Sequence, residues 1–183
     1  MNTLGNEFLQ SAIRRYKSYK QLGDKTFDQL GEADFHFRPN EVSNSIATII
    51  QHLNGNMRSR WTNLLTEDGE KEWRQRDEEF EIHNHTREQL IQMWEDGWKC
   101  LLDTLQSLKE EDLLTTIYIR KEPLTVTDAI LRQLAHYPSH VGQIMYIGKI
   151  IKGDAWKSLS IEKGQSQAYN NSDGVKDPAK LMK

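Results

Sequence analysis

Ile130-Leu131-Arg132-Gln133-Leu134-Ala135-His136-Tyr137-Pro138-Ser139-His140-Val141-Gly142-Gln143-Ile144 is the stretch on which the reading of the fold turns. Ile130, Leu134, Tyr137, Val141 and Ile144 recur at steps of three and four, the period of one apolar helix face. The pattern reaches Ile151, with Thr125 or Thr127 as the opening cap and Gly153 as the stop. Pro138 lies inside it. A proline there removes one backbone hydrogen bond at a cost of about 3 kcal/mol, so a kink or a compensating contact is expected. His136 and His140 stand four residues apart, about 40° around the axis and one turn along it, and so share a face.

Three other stretches carry the same period. Leu4, Phe8, Ala12, Tyr16, Tyr19 and Leu22 mark a helix from about Leu4 to Leu30, ended by Gly31 and Pro39. Asn44 or Ser45 caps a second, whose stripe is Ile46, Ile49, Ile50, Leu53, Met57, Trp61 and Leu64, with His52 on the edge of that stripe. Thr86-Arg87-Glu88-Gln89 is a capping box opening a third, on which Leu90, Trp94, Trp98, Leu101, Leu105 and Leu108 align. Residues 116–120 and 124–126, rich in β-branched side chains, flank a short Lys-Glu-Pro turn and predict a small hairpin that has to lean on the helices. The expected architecture is all-α, a four-helix bundle with this hairpin before its last helix, in one domain over residues 1–170. Residues 171–183 read as a flexible tail. The polar, acidic stretch 66–85 reads as a long surface loop, able to act as a lid.

The chain has 183 residues, with 24 Lys plus Arg against 27 Asp plus Glu and a formal net charge of -3. That balance argues against a general nucleic-acid binder, which needs a basic face for phosphates. No apolar run approaches the roughly 18 residues of a membrane span, and the first residues lack the order of a signal peptide. With the single Cys100 no intrachain disulfide can form, so a cytoplasmic setting is expected. Cys100 itself reads as a small core residue.

The histidines carry the chemistry. His136, His140 and His52 all adjoin apolar faces, so three imidazoles can meet in the interior. There they either hold a metal ion, at nitrogen–metal distances of about 2.0–2.1 Å, or serve as core histidines hydrogen-bonded to backbone or tyrosine groups. His83 and His85 read as a solvated surface pair or an accessory ligand, and His36, between two phenylalanines, as local packing.

The stretches Asn44-Ser45-Ile46-Ala47 with Ile50-Gln51-His52-Leu53, and Ala135-His136-Tyr137-Pro138-Ser139-His140-Val141-Gly142-Gln143-Ile144, resemble the two signatures of the DinB/YfiT-like metalloenzyme superfamily. Asn54–Trp61, Asp68–Lys71 and Ser158–Ile161 resemble a bacterial subfamily of unknown function within it. The resemblance implies an up-down-down-up four-helix bundle, often dimeric. It also implies one divalent ion, nickel, zinc or iron, on His52, His136 and His140. Some relatives resemble transferases or isomerases that use a low-molecular-weight thiol, and others have no known activity.

An ion on three histidines can lower the pKa of bound water or bind a thiol as thiolate. The expectation is therefore a metal-dependent transferase joining a small thiol to an electrophilic small molecule. Arg58 and Arg60 are candidates for an anionic group of the substrate, Gln143 and Tyr137 for polar contacts near the site. Two alternatives stand beside it. One is hydrolysis, which needs a base such as Glu78 or Glu79 delivered by the loop. The other is a non-catalytic bundle that stores metal or binds a partner.

Overall fold

Each long helix begins where a hydroxyl side chain can take up an N–H that has no partner within the first turn. Thr3 caps α1 (Leu4–Phe27), Ser45 caps α2 (Ile46–Trp61), Thr86 caps α3 (Arg87–Ser107) and Thr125 caps α4 (Val126–Lys152). At Thr86 the reciprocal bond from Gln89 completes the capping box. The computed structural model describes residues 3–182. Among them are one further short helix, α5 (Ser166–Asn171), several 3-10 turns, and a two-stranded antiparallel sheet, β1 (Thr116–Ile119) with β2 (Glu122–Thr125). The chain is therefore mostly helical.

α2 lies along α3 and α1 along α4, and α1–α3 and α2–α4 contacts join the two pairs. Their apolar faces meet in one core. Trp61, Trp94, Trp98, Tyr16 and Tyr137 are each buried there, and Trp98 sets its ring edge-on to both tyrosines, a favourable arrangement of ring quadrupoles. Buried hydroxyls have partners: Tyr16 donates to the Ile130 carbonyl at 2.8 Å, and Tyr137 donates to Asn56 Oδ1 at 3.0 Å while accepting from Trp61 Nε1 at 3.0 Å. α4 stays helical on both sides of Pro138 and stops at Gly153, whose φ of 52° suits a residue without Cβ. No helix among the described residues is long and apolar enough to cross a membrane.

Two local expectations are corrected. The hairpin turns on Arg120-Lys121, not on Lys-Glu-Pro, and Pro123 stands in β2 opposite Tyr118. A two-residue turn with φ of 56° and 65° at its centre matches the twist of the flanking strands, and a two-stranded sheet is all edge, where a proline is tolerated. The hairpin leans on the helices as expected, burying Ile117 and Ile119. It also binds the 62–86 segment: Gly69 N donates to the Tyr118 carbonyl at 2.8 Å, and Asp68 accepts from the Arg120 and Lys121 amides at 2.8 and 2.7 Å.

The second correction concerns that segment. It is not a uniformly solvated loop, because Lys71, Arg74 and Glu79 are buried in it. Farther along, Asp177 accepts two hydrogen bonds from Arg15 at 2.7 and 2.6 Å, and Ala179 is buried, within the stretch for which looseness is expected.

Candidate metal centre

α2 contributes one histidine and α4 two. His136 and His140 rise from successive turns of α4, and their Nε2 atoms lie 3.0 Å apart; His52 Nε2 lies 3.3 Å from that of His136. All three ligand atoms fall within 4.8 Å of one another, so this group could hold a metal ion. Four donors arranged tetrahedrally at about 2.0–2.1 Å from an ion stand about 3.3 Å apart, close to the spacing observed.

The other nitrogen of each ring decides what the cluster is. His52 Nδ1 donates to Glu79 Oε2 at 2.9 Å, His136 Nδ1 to Gln133 Oε1 at 3.0 Å, and His140 Nδ1 to Gln143 Oε1 at 2.9 Å. Since each Nδ1 faces an oxygen acceptor, each ring in its neutral form carries its proton there and turns the Nε2 lone pair toward the other two. Three lone pairs converging with no hydrogen between them repel, and a cation at their centre reverses the sign of that interaction. Burial, then the neighbouring His140 and His52, then Arg60 and Arg74, push His136 down to about 3, and burial likewise lowers His140. Both therefore stay neutral near pH 7, the form that ligates a metal. The donor set could hold a metal ion that neutral imidazoles ligate.

Glu79 is held with unusual firmness for a loop residue. Arg74 grips it with both arms, Nε to Oε1 at 2.7 Å and Nη2 to Oε2 at 2.8 Å. Burial alone would raise the Glu79 carboxyl, but the hydrogen bonds from His52 and Arg74 outweigh it and hold the group below the usual carboxylate range. Arg74 also meets Glu70 at 3.4 Å, and Glu70 accepts from Arg60 at 2.9 Å and Arg120 at 3.1 Å. The 3-10 turn Asp77–Phe80 thus delivers two groups to His52: the Glu79 carboxylate and the Phe80 ring, whose centroid lies 4.9 Å from that of the imidazole. Gly55 makes room for this on α2, since a Cβ there would collide with Glu79 Oε1.

A cavity of roughly 420 Å³ lies over the cluster, bounded by the three histidines, Asn56, Gln133, Phe80 and five arginines. Of the residues singled out in the sequence, Arg60 lines it, buried and tied to Glu70 and the Gly69 carbonyl. Gln143 reaches the centre through His140 Nδ1. Arg58 does not: it is exposed, with its guanidinium 5.8 Å from the Trp73 ring centroid. Tyr137 is wholly buried between Trp61 and Asn56 and supports α2 against α4 rather than facing the cavity. Glu78 is exposed, and His83 and His85 pack against each other away from the cluster. Gln133, Arg74, Arg76, Arg120 and Arg132 escape a reading by residue type. One signal was available for Gln133: Gln133, His136, His140 and Gln143 form a symmetric spacing, each glutamine three residues outside its histidine.

The fold and the centre together define a mostly helical protein able to hold one metal ion on three histidines. The model of a family described as "protein of unknown function (DUF1572)" matches residues 3–165, and the chain belongs to that family. No curated protein and no solved structure matches it.

Proposed function

We propose that the chain is a DinB-like four-helix bundle, built by α1 to α4, and a metal-dependent transferase that joins a low-molecular-weight thiol to an electrophile. One observation carries this reading: three Nε2 lone pairs converge at 3.0 and 3.3 Å while every Nδ1 is engaged by an oxygen acceptor. A divalent ion bound on three neutral imidazoles lowers the pKa of a coordinated thiol or water. The residues of this chain do the remaining work. Gln133, Gln143 and Glu79 fix the ring orientations, and acceptors of this kind also raise the basicity of the ligating nitrogens. Phe80 covers one side of His52 and limits water there.

Transfer is favoured over hydrolysis by the cavity wall. Among the described residues lining it there is no aspartate or glutamate to act as a base, and Glu79 faces His52 from behind, committed to Nδ1 and Arg74. A thiolate needs no such base once formed. A storage site would have no use for a cavity in front of its donors.

Protein purified without a nickel column is expected to contain about one divalent ion per chain by elemental analysis, and His136→Ala to contain none. Full occupancy in that variant would refute the site. Thiol-dependent consumption of a model electrophile, lost in His140→Ala, tests the reaction; inertness of the metal-loaded wild type toward a panel of small thiols and electrophiles would leave a binding protein instead.

A further inference from the structure

The chain is acidic overall, with a net charge of -3, yet the wall of its metal-centre cavity is basic. Five guanidiniums line it: Arg60, Arg74, Arg76, Arg120 and Arg132. They fall into two layers. Arg60 and Arg74, with side chains 5% and 1% exposed, are the inner pair, matched by Glu70 and Glu79. That part of the cluster has a structural purpose, holding the 62–86 segment on α2.

The outer layer has no such explanation. Arg120 is about half exposed and shares Glu70 with the two inner arginines. Arg76, also half exposed, lies over the Phe80 ring at 5.1 Å and among the described residues pairs only with the fully exposed Asp77, at 3.5 Å. Arg132 is exposed and has no ion pair among the described residues. Five positive groups thus face three carboxylates, Glu70, Glu79 and Asp77, none of which lines the cavity. A divalent ion on the histidines would add to the same sign.

Position sharpens the point. Arg132, His136 and His140 follow one another at four-residue steps on α4, so they form a single stripe along one wall. One helical turn is about 5.4 Å, so a group held over the Nε2 atoms and a group held by Arg132 would belong to one small molecule. Guanidinium forks match the planar oxygens of a carboxylate or phosphate and hold them in two parallel hydrogen bonds.

We infer that the cavity receives a small organic anion, whose carboxylate or phosphate group is bound by Arg132, Arg76 and Arg120 while its reactive end faces the three histidines. This rests on the transferase reading for the role of the metal, but the anion site stands on the arginines alone. It gives the proposed substrate a chemical class: the thiol or the electrophile carries an anionic group a few bonds from its reacting atom.

Calorimetric titration of the wild type, both metal-loaded and metal-free, with succinate, its neutral analogue succinamide, and inorganic phosphate tests the inference. Succinate or phosphate is expected to bind about ten-fold tighter than succinamide, with the preference shrinking as salt is raised. The two anions separate a carboxylate site from a phosphate site. Arg132→Gln and Arg76→Gln, both at exposed positions, are each expected to weaken the preferred anion about three- to ten-fold while metal content stays at the wild-type level. Equal binding of acid and diamide, or variants that bind the anion like wild type, would overturn the anion site. A wild type that takes up no divalent metal when it is supplied, yet still prefers the anion, would overturn the metal reading and leave this one standing.

Discussion

The 62–86 segment and the stretch from Asp154 to the end of the described chain look alike in sequence: both are polar, charge-rich and without period. The fold treats them oppositely. The first buries Lys71, Arg74 and Glu79 and reaches the histidine cluster, whereas in the second Ala179 is the buried residue and the side chains are largely exposed. The difference lies in matched charges. A buried charge is tolerated only with partners and hydrogen bonds around it. The first segment has a complementary set in Glu70, Arg74 and Glu79, completed by Arg60 and His52 from α2. The tail has Asp177 paired to Arg15, with both groups in contact with water.

Removing the central guanidinium should break this contrast most severely. Arg74→Met leaves the Glu79 carboxylate buried without its guanidinium partner, a loss of about 3–5 kcal/mol. For a chain of this size that corresponds to a fall of roughly 10 °C in Tm, read by calorimetry. An unchanged Tm would mean that the network contributes nothing.

A subtler change separates stability from chemistry. Glu79→Gln keeps the shape and an acceptor oxygen for His52 but removes the charge. It is expected to lower metal affinity about 10–100-fold, measured by competition with a chelator, while the apo protein still folds. Wild-type affinity in this variant would show that the carboxylate does not act through His52.

Acid offers a third test. Burial opposes ionisation of Glu70 and Asp68, but Arg60, Arg74 and Arg120 at the first, and the backbone amides of Glu70, Lys121 and Arg120 at the second, hold both below their ordinary values of 4.5 and 3.8. The unfolded chain therefore takes up protons before the folded one. The stability these groups contribute is complete above about pH 4.5 and is lost as pH falls through their lower folded values. Limited proteolysis with an acid-active protease should accordingly cut within residues 66–85 increasingly below pH 4.5, ahead of the long helices. Cleavage there that does not change with pH would contradict the network. The smallest effect belongs to the tail: Asp177→Ala removes a solvent-screened pair and should leave the unfolding midpoint within error.

Much of the site was legible because it is written in helical spacing. His136 and His140 share a face by virtue of four-residue separation, and His52 sits at the edge of an apolar stripe, so the phase of each helix aims its ring inward. Thr86-Gln89 announced its helix for the same local reason, a hydroxyl near the first free N–H groups. The choices between Asn44 and Ser45 and between Thr125 and Thr127 fell to Ser45 and Thr125 in the structure. Arg58 and Arg60 show where such reasoning ends. They are two residues apart, so they point to different sides of α2. Only the packing of the hairpin and the 62–86 segment over one side determines which of them is buried at the cavity.

What the amino-acid order determined by itself, then, is the helical class, the helix starts to within about two residues and the inward placement of His52 on one helix and His136 and His140 on another, because these follow from period and capping within a few residues. Tertiary structure alone decided that the acidic segment folds back on α2, that Glu79 and not Glu78 meets His52, and that five arginines from four separate regions share one cavity. Those outcomes depend on which distant charges can be buried together, and no local pattern encodes the partner of a charge tens of residues away.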